Sequence, residues 1–283
     1  MDLRTEWIEL DSDGARVSGY LAHAAAGDSA RRPGVLVIQE VWGVDAHIRD
    51  VTERLAAAGY LALAVDLFSH GGKPEALAPE RIEQAKTFLD SAPQAAWMDE
   101  ALREAELAKR GPEEAEAIAE TFGTLMTPER PMDQYVADLR AGAAALRARE
   151  DCNGRVGSVG FCLGGALSAR LAAAEDTLAG AVIFYGMSPP PDTIARVGCP
   201  VLGLYGAEDS RVNAGVPAFE AGMRERGKDF QTVFYSGTGH AFFNDTRPSY
   251  RADAARDAWA LTLAFLREQT GPAATVELDP AAA

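Results

Sequence analysis

The chain reads as an α/β protein built on a mostly parallel sheet with helices on both faces. Three observations predict it. Short runs that are apolar throughout recur at 34–38, 60–65, 180–185 and 200–205, as strands buried on both faces of a parallel sheet must be. Stretches with helical spacing, 45–58, 132–149 and 163–174, lie between the strand segments. Their alternation, strand then helix then strand, is the succession that parallel neighbours joined by crossover helices require.

The elements follow in order. Residues 7–10 and 16–21 alternate apolar with polar around the turn residues Asp11-Ser12-Asp13-Gly14, an opening hairpin. A charged, small-residue loop near Asp28 and Ser29 leads to the strand 34–38. The helix 45–58 stops at Gly59, and 60–65 is the next strand. Residues 71–130 lack buried-strand runs and are rich in Ala, Glu, Gln and Lys, a helical excursion from the sheet that serves either as part of a lid or as surface helices over the sheet edge. Regular alternation resumes with helix 132–149, strand 155–160, helix 163–174, strands 180–185, 200–205 and 230–235, and a closing helix 249–268. With 283 residues, 47% of them hydrophobic, the chain can bury a substantial core, and a single domain over 1–270 is expected. The tail 271–283, rich in Pro and Ala, is expected to be disordered.

Charge narrows the partners. Lys and Arg number 27 against 42 Asp and Glu, a net −15 that repels phosphate backbones and anionic lipid, so neither nucleic acid nor membrane is expected. The N-terminus has no basic segment followed by an apolar run, and no later stretch reaches the roughly 18 apolar residues of a span, which points to a soluble cytoplasmic protein. Three cysteines, Cys152, Cys162 and Cys199, form neither a complete disulfide framework nor a Cys/His cluster, so no structural metal is expected. Nothing in the pattern fixes an oligomeric state.

The chemistry concentrates at Gly160-Phe161-Cys162-Leu163-Gly164-Gly165, where an apolar strand turns abruptly into a helix rich in Ala and Leu. Such a turn strains its apex and crowds the positions two away on either side, hence the glycines. The apex, Cys162, sits at a helix N-terminus whose partial positive charge favours a thiolate. The same pattern also suits a mere packing contact around an inert cysteine. Cys152 and Cys199 lack the setting, and no serine stands at such an apex. In this topology an acid and a histidine follow the nucleophile, each after a later strand. Asp209 follows the strand ending at Tyr205, and His240, one of four histidines, follows the strand ending at Tyr235. Asp209 could instead cap a helix near Asn213, and Glu208 is the rival acid. In the catalytic reading His240 takes the thiol proton and Asp209 fixes its tautomer. Leu163 and Val41, the latter on the loop after strand 34–38, supply backbone N–H donors to an oxyanion. Glu40 ends a wholly apolar strand, so its carboxylate either points into the site or pairs with a base such as an arginine.

These residues together resemble the dienelactone hydrolase (carboxymethylenebutenolidase) family of α/β-hydrolases. The matching segments are Gln39-Glu40-Val41-Trp42-Gly43, Ala64-Val65-Asp66-Leu67-Phe68, the cysteine turn, Tyr205-Gly206-Ala207-Glu208-Asp209 and Gly239-His240-Ala241-Phe242, in the family's order up to about residue 270. The resemblance implies the α/β-hydrolase fold, a triad of Cys162, Asp209 and His240, and a Glu40 that contacts the resting thiol and takes part in its activation. It implies no cofactor and a small-molecule ester or lactone substrate; the family's best-known reaction opens a dienelactone to maleylacetate. Three departures stand out. Ser69-His70 replaces an arginine expected after the Asp-Leu-aromatic segment, Phe243-Asn244 replaces a second one after the histidine, and 71–130 is longer than usual. Neutral substrates are therefore expected over anionic ones, with Trp42, His70, Phe243 and Asn244 near the substrate and Phe68 and Phe242 beside them. Arg211 and Arg247 are the residues that would restore a missing charge. The alternative readings are a thioesterase or peptidase on the same fold, or a noncatalytic hydrolase-like binding protein.

Overall fold

The computed structural model describes residues 2–25, 31–97 and 99–271, so the expectations for the loop near Asp28 and for the tail 272–283 lie outside the described residues. Strands β1 (Leu3–Ser12) and β2 (Ala15–Ala24) form the opening hairpin. It is longer than its alternation suggested, because Asp11 and Ser12 pair with Arg16 and Ala15 and leave only Asp13 and Gly14 in the turn. Both turn residues have positive φ, 53° and 86°, the two-residue geometry that matches strand twist.

β2 lies antiparallel on β4 (Leu61–Val65), and β4 is parallel to β3 (Arg32–Ile38). From β3 outward, β5 (Cys152–Phe161), β6 (Leu178–Phe184), β7 (Val201–Gly206) and β8 (Phe230–Tyr235) are all parallel. The order of the eight strands is β1-β2-β4-β3-β5-β6-β7-β8. The order reverses between β3 and β5, and the crevice beyond the strand ends at such a reversal is where open α/β sheets bind ligands.

The side-chain period of two explains why the central strands are apolar throughout. Val35 and Val37 of β3 and Ala62 and Ala64 of β4 enter the core on one face. Leu36 and Ile38, with Leu61, Leu63 and Val65, enter the core on the other. The first face is covered by α1 (Ala46–Ala57) and α9 (Ala252–Thr270), through Ile48, Val51, Leu55, Ala258 and Leu266. The second is covered by α5 (Met132–Ala148), α6 (Leu163–Ala174) and α8 (Val216–Glu225), through Leu139, Ala143, Leu171, Phe219 and Met223.

The excursion is helical as expected: α2 (Pro79–Ser91), α3 (Glu100–Leu107) and α4 (Pro112–Leu125). Its Ile82, Phe88, Ile118 and Phe122 join the same core as α5 and α6, so these helices are packed on the body rather than loosely draped over an edge. Between β7 and β8 lie the short α7 (Ser210–Asn213), the helix near Asn213 that Asp209 could cap, and α8, which the sequence pattern missed. Parallel strands need a crossover, so a helix had to lie there.

Candidate active site

β5 pairs to its last residue, Phe161 with Phe184, and the chain then turns at Cys162 into α6. Cys162 has φ 55° and ψ −112°, a conformation costly for an L-residue. Hydrogen bonds from Cys162 N to Phe184 O (3.0 Å) and from Ala166 N to Cys162 O (3.2 Å) hold it. The glycines around it are required by contact. A Cβ on Gly160 would lie 1.9 Å from Gly164 O, one on Gly164 2.2 Å from Ile38 O, and one on Gly165 2.7 Å from Phe184 O. That closeness seats the first turn of α6 against the ends of β3 and β6, with the partly exposed Cys162 in front.

The loops after β7 and β8 meet in the same way. A Cβ on Gly206 would lie 2.3 Å from Gly239 O, and Ala207 N and Glu208 N donate to Tyr235 O (3.0 Å) and Thr238 O (2.9 Å). The joined loops bring Asp209 Oδ2 to 2.6 Å from His240 Nδ1, and His240 Nε2 to 3.1 Å from Cys162 Sγ. Asp209 Oδ1 accepts from Val212 N at 3.5 Å, so the helix-cap reading and the histidine contact are both realised, on different oxygens. Glu208 is exposed, and it is Asp209 that reaches the ring. A carboxylate at Nδ1 places the ring proton there and turns Nε2 to the sulfur. Burial opposes charge on the ring, but the negative charge at Cys162 and the ring's hydrogen bonds to Asp209 and Cys162 raise its pKa well above the ordinary 6.5. The geometry thus lets His240 Nε2 exchange a proton with the sulfur.

Beneath this pair lies a buried polar group. Glu40, 4% exposed, accepts from Tyr185 Oη at 3.1 Å and from Asn244 Nδ2 at 2.8 Å. Burial, then the charge of Glu40, pushes the Tyr185 hydroxyl well above its ordinary pKa, so it stays protonated and donates. Its ring stands edge-on to His240 at 5.1 Å. The carboxylate's hydrogen bonds therefore go to Tyr185 and Asn244 and the thiol's goes to His240, which differs from the resting Glu40–thiol contact the resemblance implies. Among the described residues four non-glycines have positive φ, and three of them, Cys162, Tyr185 and Ala241, gather at this edge. Strain of that kind persists where surroundings over-determine it.

Val41 follows Glu40 directly, and Leu163 opens α6, where backbone N–H groups lack helical partners. Because Gly164 packs on the carbonyls of Ile38 and Gln39, the two segments carrying these donors run side by side.

The other expected site residues are placed differently. Asn244 is fully buried and committed to Glu40 and Thr246, and Phe243, 2% exposed, stacks on Phe161 and lies tilted against Phe184 in the core. Neither is open to a substrate in this arrangement. Phe68 and Phe242 are buried too. His70 turns to α5, its Nδ1 2.9 Å from Asp138 Oδ1. Trp42 is buried edge-on against Trp97 of the excursion. Arg247 pairs with Asp90 at 2.9 Å. Tyr185 was missed by sequence reasoning; the available signal was a strand-end aromatic next to the strand that leads to Cys162. Among the described residues no group of three or more His, Cys, Asp or Glu could hold a metal ion, and no helix is long and apolar enough to cross a membrane.

Residues 17–270 match the model of the dienelactone hydrolase family. A protein of Saccharolobus solfataricus provisionally named carboxymethylenebutenolidase is 33% identical over 265 residues, covering 92% of this chain and 97% of its own length. A Bradyrhizobium protein provisionally named 2-oxo-3-(5-oxofuran-2-ylidene)propanoate lactonase is 29% identical over 274 residues, covering 93% of each chain. Among solved structures, a Klebsiella pneumoniae protein provisionally named dienelactone hydrolase superimposes with a TM-score of 0.71 at 27% identity, over 95% of this chain and all of that one. With its mostly parallel sheet and its match over nearly the whole length, the chain has the α/β-hydrolase fold and belongs to the dienelactone hydrolase family.

Proposed function

We propose that this hydrolase cleaves an ester or lactone with Cys162 as nucleophile, His240 as base and acid, and Asp209 as the group that orients the histidine. The observation that carries the reading is the continuous line from Asp209 Oδ2 through His240 to Cys162 Sγ, at 2.6 and 3.1 Å. His240 accepts the thiol proton as sulfur attacks the acyl carbonyl, and the resulting oxyanion meets the N–H groups of Leu163 and Val41. The imidazolium gives its proton to the leaving alkoxide, which leaves a thioester. Water, deprotonated by His240, then attacks that thioester and releases the acid and the thiol. Glu40 fits a positioning part, since its bonds to Tyr185 and Asn244 fix the strand end that carries Val41.

A neutral substrate suits the site. Asn244 is bound to Glu40, His70 to Asp138 and Arg247 to Asp90, so the residues closest to the family's missing arginines have their polar groups engaged elsewhere. A net charge of −15 further disfavours an anion's approach, and also nucleic acid or an anionic membrane as partner. The test is a panel of neutral and anionic esters, lactones and thioesters run on wild type and Cys162→Ala. The variant is expected to lose at least about a thousandfold in kcat while keeping its unfolding midpoint. Near-wild-type turnover by the purified variant overturns the reading, and turnover confined to thioesters makes the protein a thioesterase.

A further inference from the structure

Three segments converge beside the proposed site. α2 presents Lys86 and Asp90, four residues apart and so on one helical face. Lys86 Nζ lies 3.0 Å from Asp45 Oδ2, and Asp45 both caps α1 and ends the loop that begins at Glu40 and Val41. Asp90 receives Arg247 through two separate oxygens, at 2.9 and 3.1 Å, a bidentate fork. Arg247 sits on the loop behind His240, its backbone N donating to Asn244 O at 3.1 Å. Its guanidinium lies 5.4 Å from the Trp42 ring centre and 5.3 Å from that of Trp97, and its side chain is 9% exposed.

We infer that this assembly is a positioning clasp for the oxyanion loop, resting on the reading of Val41 and Cys162 given above. Arg247 and Asp90 touch no reacting atom. They act through Trp42, which follows Val41 in the chain and is held by the Arg247 guanidinium and the edge of Trp97. An isolated ion pair near the surface would contribute little, but this cation is forked, stacked and nearly buried, so it can set the rotamer of Trp42 and the path of the neighbouring backbone. The excursion helix α2 thereby becomes part of the catalytic frame. A donor displaced by a fraction of an ångström from a developing oxyanion loses transition-state stabilisation while leaving substrate binding largely intact.

The experiment uses the full chain carrying Asp90→Asn, Asp90→Glu or Arg247→Met, assayed well below each unfolding midpoint. Asp90→Asn and Arg247→Met are expected to lower kcat by about tenfold with KM within about twofold. In Asp90→Asn the rate of Cys162 alkylation by iodoacetamide is expected to stay within about twofold of wild type, because the thiol and His240 are held by other loops. Asp90→Glu, which keeps the carboxylate, is expected to restore most of the rate. A folded Asp90→Asn variant with wild-type kcat overturns the inference, as does a loss of kcat matched by an equal loss of alkylation. Those failures are separate from that of the nucleophile reading, which falls if Cys162→Ala keeps its turnover and takes with it the oxyanion loop the clasp serves.

Discussion

Among the described residues two histidines meet an aspartate at hydrogen-bond distance with nearly the same geometry, and only one of them adjoins Cys162. His240 and Asp209 meet at 2.6 Å, and His70 and Asp138 at 2.9 Å. Both histidines sit on loops past the C-terminal ends of strands, and both present Nδ1 to the carboxylate. The difference lies in what surrounds them. Asp138 is fully buried on α5, one oxygen shared by His70 and Gln134 and the other without a partner among the described residues. Asp209 stands at the sheet edge, and the far nitrogen of its histidine reaches a sulfur held in a strained turn. Burying Asp138 among helices carries a desolvation cost, whereas the pair at the edge turns its far nitrogen toward a group that can react. A histidine–carboxylate contact alone therefore does not define a site.

Substitutions at the two pairs separate rate from stability. Asp209→Asn is expected to cut kcat by about ten-thousandfold with little change in the unfolding midpoint, since it leaves the ring in place with the wrong tautomer. Steady-state kinetics and a thermal melt on one preparation check it. His70→Ala is expected to do the reverse. It leaves Asp138 buried with only Gln134, so the midpoint should fall by about 5 °C while kcat/KM stays within about threefold. Should His70→Ala abolish turnover at an unchanged midpoint, the second pair belongs to the active site after all. A smaller effect concerns the substrate: the methyl ester of a carboxylate-bearing lactone is expected to give about tenfold higher kcat/KM than the free acid, the size of one missing charge-assisted hydrogen bond. Preference for the acid would direct attention to Arg211 and Arg247. The smallest effect is with pH. Because the folded pKa of His240 is raised, its contribution to stability is complete below the ordinary histidine value of 6.5 and is lost as pH rises through the folded one. The gap in midpoint between wild type and His240→Gln should therefore be widest below about pH 6 and narrow toward alkaline pH. A gap that widens with pH contradicts the sign of the shift.

How much of this was legible in the sequence depended on how local the signal was. β3 and β4 announced themselves because consecutive residues enter opposite cores and must all be apolar. The turn at Cys162 was legible because backbone contact with α6, β3 and β6 leaves no room for a Cβ at three nearby positions. Asp209 and His240 followed from strand ends. Tyr185 reads only as the end of a strand, and Asn244 stood out for a substrate role, so neither showed its bond to Glu40, which appears only when Glu40 is placed between them. The aromatic residues near the site looked like pocket lining, yet Phe242 and Phe243 are core. α8 was hidden by a proline in its first turn and a glycine inside it, Pro217 and Gly222. The link from Asp90 to Arg247 spans 157 positions, which no pattern within the excursion could reveal.

Those separations bear on how the protein comes into being. Glu40 and Asn244 are 204 positions apart, Glu40 and Tyr185 145, and Cys162 and His240 78. Contacts that close such long loops form late in folding, after local helices and hairpins. During synthesis the cysteine leaves the ribosome well before the histidine that would activate it, and domains fold as units once their elements are present. The nascent chain thus carries a thiol open to oxidants and alkylating agents but inert as a catalyst. On the proposed mechanism, hydrolytic activity, when it appears, reports that the last strand and its loop have docked.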